Sequence, residues 1–266
     1  MRVMIINLRQ RLGRLGLIAF GLVLIALMAG PLRGPTEVLM AVMSGGNKLR
    51  PIYSVDTPDK KIAISFDACW GADLTRPILD ILNKYDVRTT FFLVNIWIDD
   101  YPELVKTIVA EGHELGLHST AHPDFAKLSE AQMEQELKDN YDAIVRVSGF
   151  KPILFRPPFG SYNNTMIQVC ERMGIHAIQW DVDSLDWKDL SAVEIHRRVV
   201  NGVKPGSIVL FHNNGKHTAA ALPGIIETLQ GQGYEIVPIS ELIHLDNYYV
   251  DNNGVQRKKT PSPEPN

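Results

Sequence analysis

His118 and His122 stand four positions apart in the run His-Ser-Thr-Ala-His. Imidazole nitrogen suits zinc and other divalent transition metals, and two such donors at short spacing form a chelate. The spacing alone is a weak signal, because two unrelated loop histidines share it readily. It gains weight from other residues with acid, base or charge-stabilising chemistry. Asp67 ends the apolar run at 61–66, Arg156 ends a run at 153–156, Asp183 and Asp186 follow a run at 175–180, and His212 ends the run at 207–212. His113, His176, His196, His217 and His244 have no such company and read as structural or surface residues.

These residues need elements that bring them together. Short apolar runs at 61–66, 87–94, 113–118, 153–156, 175–180, 207–212 and 234–239 read as strands. Helical patterns at 74–85, 101–111, 129–147, 163–173, 192–203 and 218–230 separate them, with a short helix at 241–244. Such alternation predicts an α/β fold with about seven parallel strands joined by helical crossovers. Periodicity does not choose between a barrel and an open doubly wound sheet. In either, the C-terminal strand ends open onto one face, so Asp67, His118, Arg156, the Asp183–Asp186 loop and His212 are expected to converge there.

The bulk properties agree with one catalytic-sized domain. The chain has 266 residues, of which 45% are hydrophobic and 21% charged, with a net charge of -3. No basic stripe marks the body of the chain, which argues against nucleic acid as the main ligand. Cys69 and Cys170 read as two buried thiols, with a single disulfide as the other option. Arg2, Arg9, Arg11 and Arg14 precede an uncharged apolar run at 15–32, and no acidic residue occurs before position 33. Basic residues on that side predict an N-terminal transmembrane signal anchor at 1–32 with the remainder outside the cytoplasm; secretion after signal cleavage is the alternative. Residues 33–56, rich in breakers such as Gly34-Pro35, are expected to form a linker, 57–246 the folded domain, and 247–266 a flexible polar tail.

The ordered set of motifs resembles the polysaccharide deacetylase family, carbohydrate esterase family 4, with its NodB-homology domain. Ser65-Phe66-Asp67-Ala68 is similar to the first family motif, T/S-F-D-D. The run from His118 to His122 matches the second, H-S/T-x-x-H. Arg156-Pro157-Pro158-Phe159-Gly160 meets the third, Asp183-Ser184-Leu185-Asp186-Trp187 the fourth, and Leu210-Phe211-His212 the fifth, L-x-H. The wording around the motifs is most similar to the spore-associated branch of the family.

The resemblance implies a distorted (β/α) barrel and a metal-dependent hydrolase that removes N-acetyl groups from an extracytoplasmic polysaccharide. Peptidoglycan is the expected substrate, with the spore cortex as one setting. By the same resemblance Asp67 is the base and Arg156 orients it, while His212 is the acid and Asp186 sustains its protonated form. The backbone N–H of Phe159 faces the oxyanion, Trp187 and Leu210 wall the acetyl methyl, and Asp183 lies on the substrate side. His118 and His122 hold a divalent metal, expected to be zinc. A monomer is expected, whose partners are a cell-wall glycan and, through the N-terminal helix, the membrane.

One motif departs from the family. The second aspartate of motif one, the family's third metal ligand, is replaced by Ala68, which cannot coordinate. Water, Asp73 or Cys69 could fill the position, and the sequence favours water or Asp73. The replacement also motivates an alternative: a glycan-binding or scaffold protein with a degenerate site.

Overall fold

The computed structural model describes residues 48–259. The expected membrane anchor at 1–32 and most of the expected linker lie outside the described residues. Among the described residues no helix is long and apolar enough to cross a membrane.

In chain order the elements are β1 (Ser54–Val55), β2 (Lys61–Ala68), α1 (Thr75–Lys84), β3 (Thr90–Leu93), α2 (Asn95–Asp100), α3 (Pro102–Ala110), β4 (Glu114–Leu117), α4 (Glu130–Ser148), β5 (Leu154–Phe155), α5 (Asn164–Arg172), β6 (His176–Ala177), β7 (Val182–Asp183), α6 (Ala192–Gly202), β8 (Ile208–His212), α7 (Thr218–Gly231), β9 (Glu235–Ile236), α8 (Ile239–Leu242), β10 (Tyr248–Val250) and β11 (Val255–Lys258). The main sheet runs β6-β5-β4-β3-β2-β8-β7, with β9 paired to the start of β2. Every pairing in it is parallel. The architecture is the expected α/β barrel, left as an open half-barrel path between β6 and β7. Residues 52–54 lie across that gap: Ile52 bridges Ile178 just past β6, and Ser54 bridges Ser207 just before β8.

Strand β2 shows why the sheet is buried on both faces. Seven of its eight residues, all but Lys61, are buried. Its side chains alternate between faces. Ile62, Ile64 and Phe66 join the outer core beneath the helices, whereas Ala63 joins a second core with Phe92, Leu154, Ile178 and Ile208. Phe66 stacks on Phe91 of β3 at 5.0 Å between ring centroids and lies 5.7 Å from Phe211 of β8. Such pairs contribute about 0.5–1.5 kcal/mol each beyond area burial. This aromatic layer locks three strands in register directly behind Asp67 and His212, which are register partners on β2 and β8.

Helix α4 follows its local sequence closely. Ser129 and Gln132 form a reciprocal capping box, and Gly149 ends the helix in the left-handed conformation at φ 73°, as a glycine after a helix commonly does.

Three expectations require correction. The strand expected at 175–180 stops at Ala177, and a separate strand, β7, carries Asp183. Helix α2 was not foreseen, because Asn95–Asp100 is too short for helical periodicity to show; it is fixed by burial of Trp97 and Ile98. The tail is not flexible as far as Lys258. Strands β10 and β11 form an antiparallel hairpin, and β11 pairs in parallel with β1, which belongs to the expected linker. Its polar composition hid this, because specific hydrogen bonds hold it. The side chain of buried Gln256 donates to the His244 carbonyl and accepts the His244 N–H, and Asp251 accepts from the N–H groups of Asn253 and Val255.

Candidate active site

Parallel register carries the site residues to one end of the sheet. Leu117 of β4 and Phe155 of β5 are partners, so the next residues, His118 and Arg156, emerge side by side. The His118 Nδ1 lies 2.7 Å from the Arg156 carbonyl oxygen. A carbonyl only accepts, so Nδ1 carries the proton and Nε2 keeps a lone pair. That Nε2 is buried and has no hydrogen-bond partner among the described residues.

Asp67 and Arg156 form the centre of the site. The Arg156 Nη1 donates to Asp67 Oδ1 at 2.8 Å, and Nη2 donates to the Ser65 hydroxyl at 2.8 Å and the Gln179 carbonyl at 3.3 Å. The guanidinium is fully buried and sits 4.2 Å from the Phe92 ring centroid. Burial alone would raise the Asp67 carboxyl, but Arg156, followed by His118 and His212, holds it below the usual carboxylate range. Asp67 is therefore an ionised acceptor. Its Oδ2 lies 3.6 Å from His118 Nε2, too far for a hydrogen bond. Two groups with free lone pairs face each other there, an arrangement that a cation satisfies.

His122 completes this side of the cleft. Its ring centroid is 5.0 Å from that of His118, and Trp70 and Phe159 meet it edge-on at 5.2 and 4.4 Å. Its Nδ1 is also buried without a partner. Burial, then His118, push the His122 imidazole down to about 4, and burial lowers His118. Both rings are thus neutral near pH 7, the form that binds metals. His122 and Ser119 adopt positive φ of 57° and 79°, which bends the loop back so that both rings line the cleft with Asp67. Backbone strain of this kind gathers at ligand-binding sites.

The third ligand position differs from the expectation. Ala68 is fully buried in the outer core. Asp73 is exposed and is not among the residues lining the cleft; it lies in the turn that leads into α1, away from the imidazoles. Cys69 is the residue near the imidazoles instead: one potential ligand atom from each of Cys69, His118 and His122 lies within 4.8 Å of the others. Both cysteines are buried and free, as the sequence suggested.

Across the cleft, His212 and Asp186 form a second pair. The His212 Nδ1 lies 2.8 Å from Asp186 Oδ1, and Asp186 Oδ2 accepts the His212 N–H at 2.8 Å and the Thr218 hydroxyl at 2.6 Å. Asp186 is fully buried. Burial pulls the His212 imidazole down, but the hydrogen bond and charge of Asp186 carry it above the ordinary histidine value. One cleft therefore holds a carboxylate kept ionised and an imidazole whose protonated form is favoured beyond that of an ordinary histidine, the pairing that general acid–base hydrolysis uses.

The cleft encloses about 730 Å³ and is lined by all the expected substrate-side residues, Phe159, Asp183, Trp187 and Leu210. Leu210 is buried, whereas Phe159 and Trp187 are 71% and 55% exposed at the rim. Phe159 has φ 59°, which turns its backbone out of the regular chain path. Asp183 Oδ1 accepts the Leu185 N–H at 2.9 Å and so shapes the loop leading to Asp186.

Sequence reasoning missed the residues that hold these groups in place. Buried Asn140 on α4 accepts the N–H groups of His118 and Ser119 at 2.8 and 3.0 Å and donates to the Leu93 carbonyl and to Asn95. Gln179 donates to the Gly160 carbonyl at 3.0 Å, behind Phe159. Trp97 and Asn213 both donate to the Gly71 carbonyl at 2.8 Å, which pins the loop carrying Cys69 and Trp70. Only Asn140 left a trace in the sequence, as an amide within the apolar stripe of a long helix.

Comparison with known proteins agrees with the geometry. The family described as polysaccharide deacetylase matches residues 54–178. Over 211 residues the chain is 36% identical to the peptidoglycan-N-acetylglucosamine deacetylase PgdA of Listeria monocytogenes, an overlap of 77% of this chain and 45% of that protein. The chain thus spans less than half the length of that relative. It is 33% identical over 199 residues to a peptidoglycan-N-acetylglucosamine deacetylase of Bacillus cereus, covering 72% of this chain and 92% of that one. Among solved structures, a CE4 family pseudoenzyme from Bacillus anthracis superposes with a TM-score of 0.71 at 32% identity, covering 78% of this chain and 72% of that chain.

Proposed function

The chain belongs to the polysaccharide deacetylase family, and from that premise we propose that it hydrolyses N-acetyl groups of an extracytoplasmic cell-wall glycan, peptidoglycan, with a divalent cation, zinc, at His118 and His122. The observation that carries this reading is the charge separation across one cleft. Asp67 is held ionised by Arg156, and Asp186, 2.8 Å from the His212 Nδ1, favours the protonated form of that imidazole.

When bound, the cation supplies Lewis-acid polarisation of the acetyl carbonyl and makes water a better nucleophile. The residues of the chain do the rest. Asp67 takes the proton from the attacking water, and Arg156 keeps its other oxygen occupied so that Oδ2 is the basic atom. The N–H of Phe159 donates to the developing oxyanion, a contribution of about 3 kcal/mol for one well-placed donor. Leu210 and Trp187 enclose the acetyl methyl. His212 then donates its proton to the departing amine, and Asp186 stabilises the imidazolium until it does so.

Peptidoglycan as substrate is supported by the names of the relatives. The basic N-terminal residues and the apolar run at 15–32 support placement outside the cytoplasm, anchored to the membrane. Acetate release from N-acetylated peptidoglycan by the full-length protein, dependent on added divalent cation, tests the reading.

A second reading has its own observation. Ala68 removes a family ligand, and one structural relative is a pseudoenzyme. A glycan-binding protein without turnover would retain peptidoglycan in a pull-down, release no acetate, and be unaffected by Asp67→Asn.

A further inference from the structure

We infer that Cys69 supplies the third protein ligand, so that the cation sits in a two-histidine, one-thiolate centre rather than the family's two-histidine, one-aspartate centre. This rests on the proposal that His118 and His122 hold a cation, and it specifies which ion they hold and how.

The strand end makes the exchange physically intelligible. Side chains alternate along β2. Asp67 and Cys69, two apart, both line the cleft, whereas Ala68 between them is buried among the outer core residues. The donor lost at Ala68 thus reappears one residue later, on the same side as the base. Cys69 is 7% exposed and His118 is 1% exposed, so these two donors are shielded from bulk water, while His122 is half-buried at the cleft side.

The donors are also poised. The ligand atoms of Cys69, His118 and His122 lie within 4.8 Å of one another. Donors around a tetrahedral zinc with bonds of about 2.0–2.3 Å are separated by roughly 3.3–3.7 Å. Closing the group onto an ion therefore requires the donors to approach by about an ångström. Independently, His118 Nε2 and His122 Nδ1 are buried polar atoms with no hydrogen-bond partner among the described residues. Leaving such atoms unsatisfied is costly, and an ion held beside Cys69 would relieve the buried His118 Nε2. The loop is held for the purpose: the Gly71 carbonyl accepts from both Trp97 and Asn213, and Asn140 fixes the backbone of His118 and Ser119.

The chemistry of the exchange has consequences. On binding, the Cys69 S–H bond breaks, a sulfur–metal bond forms, and the proton leaves to solvent. The net charge of the ligand set stays what an aspartate would give. The softer donor selects zinc and cobalt over magnesium, calcium and manganese, which a carboxylate would accept more readily. A thiolate gives more electron density to the ion than a carboxylate does, so this centre is a milder Lewis acid than the family norm.

Cobalt(II) reports the ligand directly. Full-length protein stripped of metal and loaded with cobalt chloride is expected to show an intense near-ultraviolet sulfur-to-cobalt charge-transfer band together with the visible bands of a tetrahedral ion. Cys69→Ser should lose the charge-transfer band and weaken cobalt binding at least about tenfold, in line with loss of one of three protein ligands. Cys170→Ser should keep the band. Visible cobalt bands without a sulfur band in the unsubstituted protein would overturn the inference, whether or not Cys69→Ser folds. If that occurs while zinc-dependent acetate release persists, the ligand assignment fails and the proposed function stands. A sulfur band without acetate release sustains the centre and overturns the function. No cobalt binding at all overturns the inference, and absent acetate release would then remove the function as well.

Discussion

Arg156 and Asp67, 89 residues apart in sequence, meet through a hydrogen bond of 2.8 Å in the interior of the protein. Among the described residues, Arg156 has no other carboxylate at comparable distance, and the guanidinium is sealed by Phe92 on one side. The pair does two things at once: it fixes the direction of the carboxylate and prevents its protonation.

Breaking this pair from the arginine side should be costly. Arg156→Met leaves Asp67 buried without its cation, and loss of one partner of a buried pair costs about 3–5 kcal/mol. Chemical denaturation should show a fall in stability of that size. Asp67→Asn leaves the buried Arg156 cation without its counter-charge, so it should lose stability as well and be inactive.

The pH profile should report His212. Its folded-state pKa is raised by Asp186, so the protonated acid persists above the ordinary histidine value and kcat should fall only on the alkaline side of that value. Asp186→Asn removes the charge responsible, and the alkaline limb should move to lower pH. The stability linkage has the same sign. The contribution of the pair is fully present below the unfolded histidine pKa of about 6.5 and is lost as pH rises through the raised folded value. A limb that does not move in Asp186→Asn would show that His212 is not the titrating acid.

Asn140 should matter to metal binding without touching the metal. Asn140→Ala strips the N–H groups of His118 and Ser119 of their acceptor. Zinc affinity, measured by competition with a chromophoric chelator, should drop about 10–100-fold, as expected when a residue orienting a ligand is lost. The protein should remain folded, with a stability loss of about 1–3 kcal/mol.

The sequence made much of the site legible because the chemistry sits at strand ends. Asp67, His118, Arg156, Asp186 and His212 each follow or close a recognisable apolar run, and a parallel sheet converts that linear placement into one cleft. Its limits were equally physical. Asp73 looked like a substitute ligand by proximity in sequence, but the side-chain alternation that carries Asp67 into the cleft favours the residue two positions later, Cys69. The alternation extends past the strand's last assigned residue, which an apolar run alone does not reveal. The β10–β11 hairpin was hidden for a different reason. It is held by main-chain pairing with β1 and by the Gln256 and Asp251 hydrogen bonds, and polar strands carry little hydrophobic period. Asn140 and Gln179 escaped because an amide that braces a loop from another element leaves no local motif.

The central claim is hydrolysis of an acetamide with Asp67 as the base. The most direct measurement is acetate released from N-acetylated peptidoglycan by full-length protein loaded with zinc, compared with Asp67→Asn loaded to the same zinc content. Steady release by the unsubstituted protein is expected, with a loss of about 10²–10⁴-fold in the variant, the range for removing a general base. Equal release by the two proteins, or none from either with any divalent cation, would contradict it.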